Sequence, residues 1–178
     1  KLLTAYQDAR LAARYQALID RVRTTEQRAV PGSTRLSEAV ARYYAKLLAY
    51  KDEYEVARLH SDPAFLNSLS ERFEGDYRLQ YHLAPPLLAQ RNDQGELQKR
   101  SYGAWMLTGF KVLARLKGLR GTPLDVFGYT EERRTERALI GQYRSGIESL
   151  LGRLNEQTRE RALAVARWPE QIKGFGHV

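Results

Sequence analysis

Leu36, Val40, Tyr43, Leu47, Tyr50, Tyr54 and Ala57 follow one another at spacings of four, three, four, three, four and three. That is the period of one face of an α-helix, and it commits this part of the chain to helix over three turns or more. A sustained heptad also suits a coiled coil. Three tyrosines on the seam fit a globular core better, because a packed interior offers their hydroxyls partners.

The flanking sequence extends the helical pattern. Residues 2 to 28 predict one helix, with Leu2, Tyr6, Ala9 and Ala13 on one stripe and Leu11, Tyr15, Leu18 and Val22 on another, so that neighbours are expected on two sides. Pro31 and Gly32 punctuate, and Ser33 or Thr34 is placed to cap the next helix. Asp62 and Pro63 open a shorter helix as N-cap and first helical residue, ending near Phe73 before Gly75. Thr130 caps a long helix with Ile140, Tyr143, Ile147, Leu150 and Leu154 on its apolar stripe. A last helix, roughly Glu156 to Trp168, stops at Pro169.

Between these helices the period changes. Tyr77, Leu79, Tyr81 and Leu83 alternate with Arg78, Gln80 and His82, the two-residue repeat of a half-buried strand. Pro85 and Pro86 lack the N–H groups to continue a ladder, so the strand ends there and the prolines aim the next segment. Turn chemistry from Arg91 to Glu96 then returns the chain through "LQKRSY" as a second strand. Gly103 to Gly118 follows with apolar residues around most of its circumference, which predicts the helix at the centre of the domain. The expected fold is mainly α, of α+β type. About five to six helices pack around the central apolar helix 103–118, with one small β-hairpin at about 77–102, in a single domain 1–178.

A chain of 178 residues buries about 70% of its unfolded surface, enough for a core without covalent staples. It has no cysteine, which excludes disulfides, thiolate zinc sites, ordinary iron–sulfur ligation and a cysteine nucleophile within it. No apolar run approaches the roughly 18 residues of a membrane span and no signal peptide opens the chain, so a soluble, cytoplasmic protein without a membrane partner is expected. The chain opens on Lys1, and Met106 is its one methionine, the pattern expected of a segment of something longer.

Net charge is +8, with 22 Arg against 7 Lys, a bias toward paired, structured roles. From Leu97 to Leu124 no acidic residue appears, while Lys99, Arg100, Lys111, Arg115, Lys117 and Arg120 do. Such a stretch is either a cradle for an anionic partner or one half of an internal charge balance. "TEERRTER" follows, and Glu132 and Glu136 lie on the inward side of the long helix with Leu139 and Tyr143. Buried carboxylates are costly without cations, so internal pairing with the basic stretch is the favoured reading over a general acid and base. The part of the stretch left for an interface is Lys99, Arg100, Lys111, Arg115 and Arg120, with His82 on the polar face of the strand. His60, His82 and His177 are far apart in sequence and form no metal-ligand pair, and no glycine-rich phosphate motif is present.

"YKDEYEVARL", "YHLAPPLL", "KRSYGAWML", "LKGLRGTPLDVFGYTEERRTERALI" and "IKGFGHV", together with "LTAYQDARLAARY" near the start, resemble the C-terminal region of the fused indolepyruvate ferredoxin oxidoreductases of bacteria. The resemblance spans nearly the whole chain. It implies a parent enzyme that uses thiamine diphosphate, Mg2+ and iron–sulfur clusters to decarboxylate aryl 2-oxoacids oxidatively to an acyl-CoA, passing electrons to ferredoxin. None of those cofactor motifs falls within these residues, so no catalytic, cofactor-binding or metal-binding position is carried over. The expectation is an accessory domain with a packing or interface role. Its partners would be the catalytic domains of the same chain and, through the basic stretch, ferredoxin or a second subunit. The alternative from charge alone is a stand-alone basic helical module binding nucleic acid.

Overall fold

The computed structural model describes residues 1–83 and 100–172. The chain is mainly α-helical, with eight α-helices and one two-stranded antiparallel hairpin among these residues. It divides into two compact units: Lys1–Tyr50 with the chain from Gly128 onward, and an inserted unit, Lys51–Phe127.

The first unit contains α1 (Leu2–Tyr6), α2 (Ala9–Ala29), α3 (Arg35–Leu48), α7 (Glu131–Leu151) and α8 (Arg159–Ala166). Leu11, Leu18, Ile19 and Val22 of α2 meet Leu36, Val40, Tyr44 and Leu47 of α3, Tyr143 and Ile147 of α7, and Leu163 and Ala166 of α8. Three tyrosines build a column through this core. The ring of Tyr44 stacks on those of Tyr15 and Tyr143, both at 6.0 Å between centroids. Their polar tips are satisfied, because Tyr15 donates to the Ala41 carbonyl (3.1 Å) and Tyr143 to that of Ala166 (2.8 Å).

Glu26 caps α3 from outside that helix. Its carboxylate, 3% exposed, accepts from the Leu36 and Ser37 amides (2.9 and 2.8 Å) and from the Ser37 and Ser33 hydroxyls (2.7 and 2.8 Å). The local candidate, Thr34, is the N-cap residue but gives its hydroxyl to Glu38 instead. An anion at the positive end of a helix dipole is favourable, which accounts for a carboxylate this deep in the fold.

The inserted unit holds α4 (Glu53–His60), α5 (Pro63–Arg72), β1 (Tyr81–Leu83), β2 (Arg100–Tyr102), α6 (Met106–Arg115) and a 3-10 turn, Leu116–Leu119. β1 pairs with β2 in the register Tyr81–Tyr102, His82–Ser101, Leu83–Arg100. α4 packs on α6 around a small core of Ala57, Tyr81 and Phe110.

Several expectations change. The predicted helix 2–28 breaks at Gln7 (φ −134°, ψ −79°), where Asp8 restarts it by accepting from the Leu11 amide at 2.7 Å. Of its first stripe only Tyr6 is buried; Leu2, Ala9 and Ala13 are exposed. The seam 36–57 also breaks, between Leu48 and Glu53, and Asp52 caps the second part. Its residues up to Leu47 serve the first unit's core, and Tyr54 and Ala57 are buried in the inserted unit. These two breaks turn six predicted helices into eight. The strand predicted from Tyr77 begins instead at Tyr81, its described part being Tyr81–Leu83, and Tyr77 is exposed. Helix 103–118 shortens to Met106–Arg115 and is not enclosed. It buries Phe110 and half-buries Met106, Leu113 and Ala114, but leaves Val112 and Leu116 in solvent. An all-round apolar helix has a second apolar face, and no described residue covers it.

Candidate functional site

The surface of the inserted unit rests on a buried polar anchor. Asp52 stands at the N-terminus of α4, where its Oδ1 accepts from the Glu55 amide at 2.8 Å. The same carboxylate receives a two-pronged bond from Arg120, with Nε at 2.5 Å from Oδ2 and Nη2 at 2.8 Å from Oδ1. Both side chains are under 5% exposed. The Arg120 guanidinium also lies over the ring of Tyr54, 5.4 Å from its centroid. Tyr54 donates to Asp125 Oδ1 at 3.2 Å, and Asp125 Oδ2 accepts from the Gly121 amide at 2.8 Å. Gly121 has φ +76°, a conformation that suits glycine and aims its N–H at that carboxylate. Burial, then the charge of Asp125 and the bond to it, push the Tyr54 phenol up to about 12, so it remains a neutral donor.

This anchor fixes the loop 120–127 to α4 and determines what the loop shows outside. Around the buried Asp125, Leu124 and Val126 point outward, 69% and 57% exposed. The outer face of α6 adds Trp105, just before the helix, with Val112 and Leu116, at helical spacings of seven and four. Lys111 and Arg115 stand exposed on the same helix. Nine of the thirteen exposed large apolar residues among the described ones belong to the inserted unit, which has the smaller core. Exposed apolar groups are thus concentrated on the inserted unit, with the cations Lys111 and Arg115 among them on α6.

The predicted interface residues separate on this surface. Lys111 and Arg115 are exposed on α6. His82 and Arg100 are exposed on the hairpin, and the His82 Nδ1 lies 3.0 Å from the Ser101 hydroxyl. Arg120 is interior, committed to Asp52. Lys99 lies outside the described residues, as do Pro85 and Pro86 and the turn 91–96. Internal pairing of the basic stretch therefore exists at Arg120, with Asp52 as the acid. Glu132 is exposed, and Glu136 pairs with Arg133 of its own helix at 2.6 Å. A guanidinium one turn away reaches a largely buried carboxylate at lower entropic cost than one from another element.

His60 is the one histidine with a structured environment among those described. Its ring stacks on Phe110 (5.2 Å) and meets Phe65 and Tyr81 edge-on. Burial, and then Lys51, hold its pKa below the usual 6.5, so at neutral pH it behaves as an uncharged aromatic. No group of three His, Asp or Glu among the described residues is arranged to hold a metal. No helix among them is long and apolar enough to cross a membrane. Sequence reasoning missed Asp52 and Asp125. The spacing of Asp52 before "EYEV" is a legible cap signal, whereas the Asp52–Arg120 contact spans 68 residues and has none.

Comparison with curated proteins and with solved structures gives no match. Comparison with protein families matches one family over residues 1–178. The chain belongs to DUF6537, a family of unknown function.

Proposed function

We propose that this chain is an accessory domain of a larger 2-oxoacid:ferredoxin oxidoreductase, with a packing or interface role and no active site of its own. The observation that carries the interface role is the set of uncovered apolar residues of the inserted unit: Val112 on α6 with Trp105 and Leu116 at its two ends, and Leu124 and Val126 on the anchored loop. In the proposed assembly these residues pack on the catalytic domains of the same polypeptide. The exposed cations Arg100, Lys111 and Arg115 steer an acidic electron carrier or second subunit toward it. The type of parent enzyme rests on the motif resemblance from Leu3 to the C-terminal "IKGFGHV". By that resemblance thiamine diphosphate, Mg2+ and iron–sulfur clusters belong to other parts of the parent, which is cytoplasmic.

The test uses the full-length polypeptide that carries these residues. Val112→Asp combined with Leu116→Asp is expected to expose new protease-sensitive sites in the parent and to reduce 2-oxoacid-dependent ferredoxin reduction several-fold. A wild-type cleavage pattern together with a wild-type rate overturns the packing role. Neutralising Lys111 and Arg115 is expected to lower the ferredoxin reduction rate most at low salt, and an unchanged salt dependence removes the steering role. A full-length polypeptide with no thiamine-dependent 2-oxoacid oxidation overturns the assignment of the parent.

A further inference from the structure

Three arginines converge on a groove between α3 and α8 of the first unit, away from the residues discussed above. The groove has a volume of about 170 Å³ and is lined by Arg35, Glu38, Ala39, Arg42, Tyr43, Leu163 and Arg167. Arg35 and Arg42 are seven residues apart, two turns along one face of α3. Leu163 and Arg167 are four apart, at the end of α8. Two different helices thus bring guanidinium groups to one depression.

The pairing of these groups is uneven. Arg35 bonds Glu160 with two nitrogens, at 2.7 and 3.4 Å, across an exposed surface. Glu38 accepts from the Thr34 hydroxyl at 2.8 Å. Arg42 and Arg167 make no hydrogen bond or ion pair among the described residues, and neither does the hydroxyl of Tyr43, a residue only 6% exposed. Tyr43 packs its ring into the core while its residue lines the groove. A helix C-terminus is itself a reason for a cation at Arg167. Arg42 and Arg167 are exposed, and the Tyr43 hydroxyl is not a buried unpartnered atom, so all three are open to an anion entering the groove.

We infer that this groove is a binding site for a small phosphate-bearing anion, held by Arg42 and Arg167 with the Tyr43 hydroxyl as an additional donor. Guanidinium forks match the oxygen spacing of phosphate, and two from different directions fix it in place. Against Glu38 the free guanidiniums leave an excess of one positive charge. Arg35 adds a second when an incoming dianion draws it from Glu160, a step of low cost because an ion pair this exposed contributes little. Sites for drug-sized ligands begin at about 300 Å³. A groove of about 170 Å³ therefore takes an inorganic phosphate or the terminal phosphoryl group of a larger molecule, not a whole nucleotide.

The experiment is calorimetric titration of the protein with inorganic phosphate, pyrophosphate and glycerol phosphate at fixed ionic strength. Wild type is expected to bind at least one of them, and the Arg42→Gln, Arg167→Gln double variant to bind it tenfold or more weakly. Tyr43→Phe is expected to weaken it by a smaller factor. Arg21→Gln, at an exposed arginine paired with Glu148 elsewhere on the unit, serves as the control for loss of a positive charge away from the groove and is expected to bind as wild type does. Binding of glycerol phosphate as tight as that of phosphate identifies a presented phosphoryl group, and binding of phosphate or pyrophosphate alone identifies a free anion. No binding by wild type, equal weakening by Arg21→Gln, or undiminished binding by a double variant with a wild-type melting curve overturns the site. A response confined to single-stranded oligonucleotides, falling steeply with salt, also overturns it.

Discussion

Arg120 grips Asp52 with both prongs of its guanidinium, at 2.5 and 2.8 Å, in the interior of the inserted unit. The pair joins the start of α4 to a loop nearly seventy residues later, so one ion pair positions both the helix and the apolar tip formed by Leu124 and Val126. The Tyr54–Asp125–Gly121 bonds complete the anchor on the other side of the loop. An interaction surface built on a loop needs such an anchor, because a loop that reorders on binding forfeits affinity to conformational entropy.

Removing one partner of that pair leaves a buried charge alone. Arg120→Met is expected to cost about 3–5 kcal/mol, read as a lower urea midpoint for the inserted unit. The double variant Asp52→Asn, Arg120→Met is expected to recover part of that loss, since the Asp52 charge is then no longer stranded, while the buried Asp125 keeps its own. A single variant as stable as wild type would show that the pair is not an anchor.

Glu26 makes the first unit sensitive to acid. Burial alone would raise its pKa, but the Leu36 and Ser37 amides and the Ser37 and Ser33 hydroxyls together lower it below the ordinary 4.5. A carboxyl whose folded pKa is depressed stabilises the fold fully above its unfolded value. That contribution is lost as pH falls from about 4.5 through the folded pKa. Glu26→Gln keeps the shape and removes the charge, so its melting temperature is expected to be lower than wild type at pH 7. The difference should shrink below pH 4.5 in thermal scans. A gap that does not shrink at all as pH falls below 4.5 contradicts the assignment.

His60 places a second transition at milder acidity, in the other unit. Its folded pKa lies below 6.5, so the unfolded chain binds a proton more readily, and stability is lost as pH falls through 6.5 toward the folded value. The inserted unit is therefore expected to melt at lower temperature at pH 5.5 than at pH 7.5, before Glu26 titrates. His60→Phe preserves the aromatic stack on Phe110 and should flatten that dependence. Near-ultraviolet circular dichroism read between pH 7.5 and 5.5 checks it, and an equal slope in the variant rules the histidine out.

The residues explain what was legible in the sequence and what was not. Asp62–Pro63 and Thr130 announced their helices because a cap bonds to an amide within three residues. The breaks at Gln7 and at 49–52 were hidden because the apolar period runs on across both, and period reports which face is buried without reporting which unit buries it. The exposed side of α6 was misread for a related reason: Trp105, Val112 and Leu116 have the composition of a core, and composition does not distinguish a core from a surface awaiting a partner. Long-range polar contacts left no local trace at all. Glu26 reaches the start of α3, and Asp52 reaches Arg120, through the tertiary fold alone.

Glu136 closes the comparison between expected and observed charge pairing. It was expected to draw on the basic stretch 99–120, and within its own helix it bonds Arg133, whose guanidinium also lies 5.4 Å from the Tyr50 ring centroid. Both charged side chains are close to nine-tenths buried, so the pair is protected from salt far more than a surface bridge. Glu136→Ala is expected to destabilise the first unit by about 1.5–3 kcal/mol, the range for bonds to charged groups. For a chain of this size each kcal/mol lowers the melting temperature by about 2–4 °C. The loss should persist in 1 M salt, whereas Glu160→Ala, which removes the exposed partner of Arg35, should change melting little at any salt. An unchanged melting temperature for Glu136→Ala removes the argument that this carboxylate is held for structure and reopens its candidacy as a reactive group.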